Sequence, residues 1–295
     1  MKRTAFKFMR QRYISLLLAA LLPFTGTGAV FASDPIDPSH ASDTLALVGD
    51  FEVLKGSAEP MTVTRKQLAS LPGFTELTDK LVPHEPAVVL GVLPITALLQ
   101  AYPLTPGADG LVLETLNHWE SFLTLDHVTT QESQLLLFYN GAEPSSGSWP
   151  AWGGDVEPLA PFYVFDAKEP IPSFPTSPAF GMIAATQITK VRATSVAKRY
   201  GAMLDLELSA QAQIGRSLFL QRCNTCHRGI GGAGGNSSAR PFAVLTALAT
   251  ANPTYFRQLV ANPKQIYPDT SMPAHADFGA AEYAALIAFL SEANR

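Results

Sequence analysis

Cys223-Asn224-Thr225-Cys226-His227 decides how the C-terminal third of this chain is read. C-x-x-C-H is the spacing of covalent haem attachment. Two thiols add to vinyl groups on one edge of a porphyrin, and the adjoining imidazole is presented to the iron from one face. Three other chemistries use paired cysteines: a structural disulfide, a thioredoxin-like redox pair and half of a zinc site. A zinc site normally takes four protein ligands, and the chain has 2 cysteines in all. A redox pair is expected near a βαβ pattern, whereas this pair ends a helical segment. One haem c is therefore expected, bound through Cys223 and Cys226, with His227 on the iron.

Working outward, Ser209 caps a helix that runs to about Arg222. Asn252-Pro253 supplies a cap and a first-turn proline for a helix to about Ala261, and Ala280 to Ala293 form the last helix. Tyr283, Leu286, Ile287 and Leu290 follow the i, i+3, i+4, i+7 spacing of a buried face. Gly215 sits inside the first helix, where glycine costs about 1 kcal/mol relative to alanine unless close packing returns it. Met272 and His275 both stand in the loop before the last helix as candidates for the second axial position. The glycines of residues 231–235 lack the Lys-Ser/Thr of a phosphate-binding loop.

Residues 205–295 resemble a class I cytochrome c. The resemblance is carried by Gly215-Arg216-Ser217-Leu218-Phe219, by the haem motif, and by Met272-Pro273 ahead of Leu286-Ile287-Ala288-Phe289-Leu290. It implies that the first and last helices cross where Gly215 meets Phe219 and Phe289. It also implies Met272 as the second axial ligand, a soft thioether suited to an electron-shuttling iron.

The first 32 residues hold Lys2, Arg3, Lys7, Arg10 and Arg12 and no acid, followed by the apolar stretch Ile14 to Leu22 and small residues to Ala32. This reads as a signal peptide cut after Ala32 and implies export to the periplasm. The apolar run is about half of the ~20 residues that span a bilayer, so no integral membrane span is expected after cleavage. Residues 33–202 carry 9 Lys+Arg and 19 Asp+Glu, whereas residues 203–295 carry 7 and 6. Nucleic acid is not an expected partner of so acidic a chain.

Between the signal and residue 202, short alternating runs bounded by Gly, Pro and Asp read as strands: Leu45 to Gly49, Met61 to Val63, Leu111 to Thr115, Phe122 to Leu125, Leu135 to Tyr139 and Ile183 to Thr194. Thr64 caps a helix over Arg65 to Ser70, and Pro94 is placed at the start of a helix over Ile95 to Ala101. Residues 141–179, dense in Pro, Gly and Ser around Trp149 and Trp152, are expected to form a long ordered loop with one or two strands. The fold class is α+β: a strand-rich domain over residues 33–202, then an all-α domain over residues 203–295.

In Gly91 to Leu99, Leu135 to Gly141 and the terminal strand, residues 45–195 resemble the molybdopterin-binding domain of the sulfite oxidase family. That family binds molybdenum through a cysteine in the segment before the stretch matching Gly91. Here the segment Leu77 to Val89 has none. The resemblance thus implies a degenerate domain in which molybdopterin is not expected. His84, Glu85 and His118 could form a new site, but histidines in such settings are more often satisfied or solvated.

The function expected is single-electron transfer without catalysis of its own. The donor would be a periplasmic redox enzyme and the acceptor another cytochrome or an oxidase, with the acidic domain serving to dock partners. A molybdopterin oxidoreductase of sulfite dehydrogenase type and a haem-based ligand sensor are the alternatives. The missing cysteine argues against the first and Met272 against the second.

Overall fold

The computed structural model describes residues 43–79, 87–139, 151–152, 157–168, 176–177, 180–182 and 186–293. The expected signal segment, His84, Glu85 and Trp149 lie outside the described residues. A strand-rich N-terminal region is followed by a helical C-terminal one, so the fold is mixed α+β as the sequence implies.

The strand region opens with β1 (Thr44–Gly49), β2 (Met61–Thr64), α1 (Arg65–Ala69), β3 (Thr75–Asp79), β4 (Val88–Pro94) and α2 (Ile95–Ala101). It continues with β5 (Gly110–Thr115), β6 (Glu120–Thr124), α3 (Leu125–Gln131) and β7 (Ser133–Tyr139). The short strands β8 (Ala151–Trp152) and β9 (Glu157–Pro158) pair with each other. After β10 (Tyr163–Asp166) come the paired β11 (Thr176–Ser177) and β12 (Gly181–Met182), then β13 (Ile188–Thr194). One sheet has the order β2-β1-β13-β5-β6 and the other β10-β7-β4-β3.

Local chemistry accounts for most of these boundaries. Thr64 and Gln67 form a reciprocal capping box that starts α1. Pro94, placed in the helix by sequence, instead ends β4 with an extended ψ of 135° and pairs with Gln134. It has no N–H to give a ladder, and the strand end is where that loss is tolerated. Helix α3 was not expected, because its Val-Thr-Thr run favours strand. Thr124 caps it and Asp126 sits in its first turn. The closing strand begins at Ile188 rather than Ile183, after Gln187 turns with a φ of 56°.

The helical region comprises α4 (Val196–Leu204), α5 (Ala210–Arg222), α6 (Phe242–Ala251), α7 (Pro253–Ala261), α8 (Pro263–Ile266) and α9 (Ala280–Glu292). The division expected after Ala202 falls inside α4. Helices α5 and α9 cross at Gly215, where an added Cβ would lie 1.9 Å from the Ala285 carbonyl oxygen. Around the crossing, the rings of Phe219 and Phe289 are 5.6 Å apart, and Phe242 stands edge-on to Phe219 at 5.5 Å. Ser209 ties the start of α5 to the end of α9, since its N–H and Oγ both donate to the Glu292 carboxylate.

The two regions share a layer. Successive residues of a strand face opposite sides. In β5, Leu111 and Leu113 belong to the core of the strand region, while Val112 joins the helical core together with Phe122 and Phe180. Tyr200 of α4 closes this junction, 5.5 Å from Phe122 and 4.7 Å from Phe180.

Because the Gly215 contact is backbone against backbone, no side-chain adjustment relieves it. Gly215→Ala is expected to cost about 1–3 kcal/mol of stability, measured as a shift of the denaturant midpoint at unchanged slope.

Candidate functional site

Helix α5 stops where the motif begins. Cys223 takes a non-helical φ of −123°, and a tight turn follows in which the N–H groups of Cys226 and His227 both donate to the Cys223 carbonyl, at 3.2 and 2.8 Å. This turn carries both thiols and the imidazole on one short segment. Neither cysteine is in a disulfide. Burial, with Cys226 beside it, pushes the Cys223 thiol up to about 12. A redox-active pair has instead a depressed thiol pKa, the opposite direction.

His227 is 8% exposed. Its Nδ1 lies 3.3 Å from the Arg240 carbonyl, a contact that makes Nδ1–H the donor and leaves the Nε2 lone pair as the ligating atom. Burial holds its pKa below the ordinary histidine value, with the charges of Arg240 and His275 acting the same way and the Arg240 carbonyl opposing them. The ring is neutral near pH 7, the form that binds metal.

Cys223, His227 and Met272 line one cavity, whose other walls are apolar side chains including Phe219 of α5, Leu245 of α6, Phe256 of α7 and Leu286 of α9. Cys226 stands on the same turn, partly exposed and outside that lining. Met272 is held in its loop by its N–H donating to Thr270 Oγ1 at 3.2 Å. His275 does not line the cavity. It is 6% exposed, its N–H donates to the Val260 carbonyl, its ring stacks on Phe278 at 5.1 Å, and its Nδ1 faces the Arg222 guanidinium at 3.5 Å. Arg222 also pairs with Asp277 at 2.8 Å, tying the end of α5 to the loop that carries Met272. The donors that meet here, an imidazole nitrogen and a thioether beside a thiol, are those that haem c takes, and the surrounding side chains are apolar.

Residues 210–290 match the family model described as cytochrome c oxidase, cbb3-type, subunit III. This segment is a cytochrome c domain. It supports a haem-based electron-transfer role. No curated protein matches the chain. Among the described residues, no helix is long and apolar enough to cross a membrane.

The cytochrome c domain meets the strand region at the turn between β5 and β6. His118 there is exposed and has a φ of 64°, a left-handed conformation uncommon outside glycine. Thr115 braces the turn by accepting from Trp119 N–H at 3.0 Å. A second cavity of about 140 Å³ opens here, bounded by Glu114, His118, Trp119, Glu120, Arg228 and Asn236. Its carboxylates already have cationic partners: Glu114 pairs with Lys190 and Arg192 of β13, and Glu120 with Arg199 of α4. Burial works against the Arg199 charge, but the hydrogen bond and charge of Glu120 outweigh it and raise its pKa. Nothing in the linear sequence links Glu120 to Arg199, 79 positions apart.

Burial alone would raise the Glu114 carboxyl, yet the hydrogen bonds and charges of Lys190 and Arg192 hold it below the usual carboxylate value. A folded-state pKa below the unfolded one contributes stability that is complete above the unfolded value and lost as pH falls through the folded value. Glu114→Gln is therefore expected to be less stable than the parent at pH 7, with the difference shrinking as pH falls below the usual carboxylate range, as read from denaturant titrations across that range.

Proposed function

We propose that the chain is an exported mono-haem c-type cytochrome that takes single electrons from a periplasmic dehydrogenase and passes them to another cytochrome or an oxidase. Cys223 and Cys226 would hold the haem covalently, and His227 and Met272 would occupy the axial positions of the iron. When bound, the haem supplies reversible one-electron oxidation and reduction. The observation that carries this reading is the convergence of Cys223, His227 and Met272 on one apolar cavity inside the segment that matches a cytochrome c family.

The protein's own residues have defined tasks in that reading. The Arg240 carbonyl fixes the His227 tautomer, Phe219 and Leu286 exclude water, and the Arg222–Asp277 pair holds the Met272 loop closed. His275, which is turned toward Arg222 and stacked on Phe278, serves packing. Met272→Ala is expected to abolish the sulfur-to-iron charge-transfer band of the oxidised protein and to open the iron to carbon monoxide. Replacement of Cys223 and Cys226 by alanine should leave no haem attached after denaturing electrophoresis. Ready carbon monoxide binding by the parent protein would favour the sensor reading instead.

The strand region is proposed as a cofactor-free, degenerate molybdopterin-binding-like domain that selects partners by charge. Its support is the order of apolar segments, the absence of a cysteine from residues 77–89, and the excess of acids over residues 33–202. Complementary charge raises association rates and sets their salt dependence. Glu52, Glu59 and Glu76 are exposed on this region. Their joint replacement by lysine is expected to slow reduction by a cationic donor about tenfold at low ionic strength and to flatten its dependence on salt, as followed by stopped-flow absorbance. Stoichiometric molybdenum in the purified protein would overturn the cofactor-free assignment and favour the sulfite dehydrogenase type.

A further inference from the structure

We infer that the β5–β6 turn of the strand region is part of the haem site, with Glu120 as the positioning residue that clamps the haem-attachment segment. This rests on the reading that Cys223 to His227 carry haem. It concerns how that segment is held rather than whether haem is there.

Five hydrogen bonds make the clamp. Glu120 N–H donates to the carbonyl of Thr225, which lies between the two cysteines, at 3.1 Å. The Glu120 carboxylate accepts from Gly234 N–H at 3.0 Å while Arg199 Nε donates to the same oxygen at 2.8 Å. Asn236 N–H donates to the His118 carbonyl at 2.8 Å, and Gly235 N–H donates to the Asn224 carbonyl at 2.9 Å. The turn, the loop of residues 229–236 and the attachment segment are thus linked pairwise.

Their approach leaves no room for side chains. A Cβ at Gly235 would lie 1.9 Å from the Thr225 carbonyl oxygen and 2.9 Å from that of His118. One at Gly234, whose φ is 97°, would lie 2.1 Å from Asn224 Nδ2. Asn224, the first residue between the cysteines, is 3% exposed and donates to the carbonyls of His227 and Ala233, both at 3.1 Å. The attachment segment is therefore gripped by the loop from within the cytochrome c domain and by Glu120 from outside it.

Glu120 is itself 8% exposed, so its charge is poorly screened by water. Removing that charge while leaving Arg199 in place adds positive potential beside the segment that carries the iron, which disfavours the oxidised state. Two effects follow from one residue: loss of the clamp loosens residues 224–236, and loss of the charge raises the reduction potential. The second is not expected of a purely structural contact.

The test uses the full-length, haem-loaded protein. Glu120→Gln is expected to raise the midpoint potential and to speed amide hydrogen exchange over residues 224–236 about tenfold, with exchange in α9 unchanged. Glu120→Leu combined with Arg199→Met removes both charges and should return the potential toward that of the parent while exchange stays fast. Unchanged potential and unchanged exchange in Glu120→Gln would sink the clamp. If that variant does not accumulate folded, Arg199→Lys replaces it, with faster exchange over residues 224–236 expected and parental exchange overturning the idea. Haem content measured on the same samples separates the two readings. Absence of covalent haem from the parent defeats the functional proposal, whereas a haem-loaded variant with parental behaviour defeats the clamp alone.

Discussion

From Leu111 to Leu113, strand β5 is buried on both faces, and most of the molecule's organisation follows from that constraint. Leu111 and Leu113 fill the core of the strand region, and Val112 between them fills the core of the helical region. A strand buried on both faces must find apolar partners on both, so the helical region is packed where a solvated sheet face would otherwise lie. Phe122, Phe180 and Tyr200 complete the contact from β6, the segment before β12, and α4. Where the sequence implies a boundary between two domains, the structure has a packed layer shared by β5, β6 and α4.

Within the cytochrome c domain, an analogous economy of backbone contacts sets the site. Gly215 lets α9 approach α5 closely enough for Phe219, Phe242 and Phe289 to pack as one cluster, and Phe219 is also a wall of the cavity that holds His227 and Met272. The crossing and the site are therefore not independent. The imidazole is oriented by a backbone carbonyl, that of Arg240, rather than by a carboxylate. This fixes the tautomer and leaves the ligating nitrogen free without placing a second charge in the cavity, while burial is what disfavours protonation of the ring.

The parts legible in the sequence were those written in local chemistry. Ser209, Thr64 and Asn252 each begin a helix by accepting a backbone N–H, and each was readable from side-chain type and position. The haem motif was readable from its spacing, and the Gly215 crossing from the resemblance to class I cytochrome c, with the cost of an interior glycine pointing the same way. The turn–loop contact was not, because it depends on Glu120, Arg199 and Gly234 meeting across long separations, and no periodicity records such a meeting. Helix α3 went unread for a different, local reason: its cap Thr124 and first-turn Asp126 are followed by a β-branched Val128-Thr129-Thr130 run of low helix propensity. Pro94 was misplaced by one element because proline is tolerated both at a helix start and at a strand end, and only the pairing with Gln134 distinguishes them.

The placement of β13 has a kinetic consequence. This last strand lies in the middle of its sheet, parallel to β1 on one side and antiparallel to β5 on the other. The β2-β1 and β5-β6 hairpins can each form early from neighbouring sequence, but they cannot join until the chain as far as Thr194 is available to lie between them. Loops of that length close slowly compared with local pairing. Helix α4 begins two residues later, at Val196, so the event that unites the sheet also delivers Tyr200 to the junction with the helical core. Joining the two hairpins into one sheet thus depends on the pairing with the greatest sequence separation in that sheet.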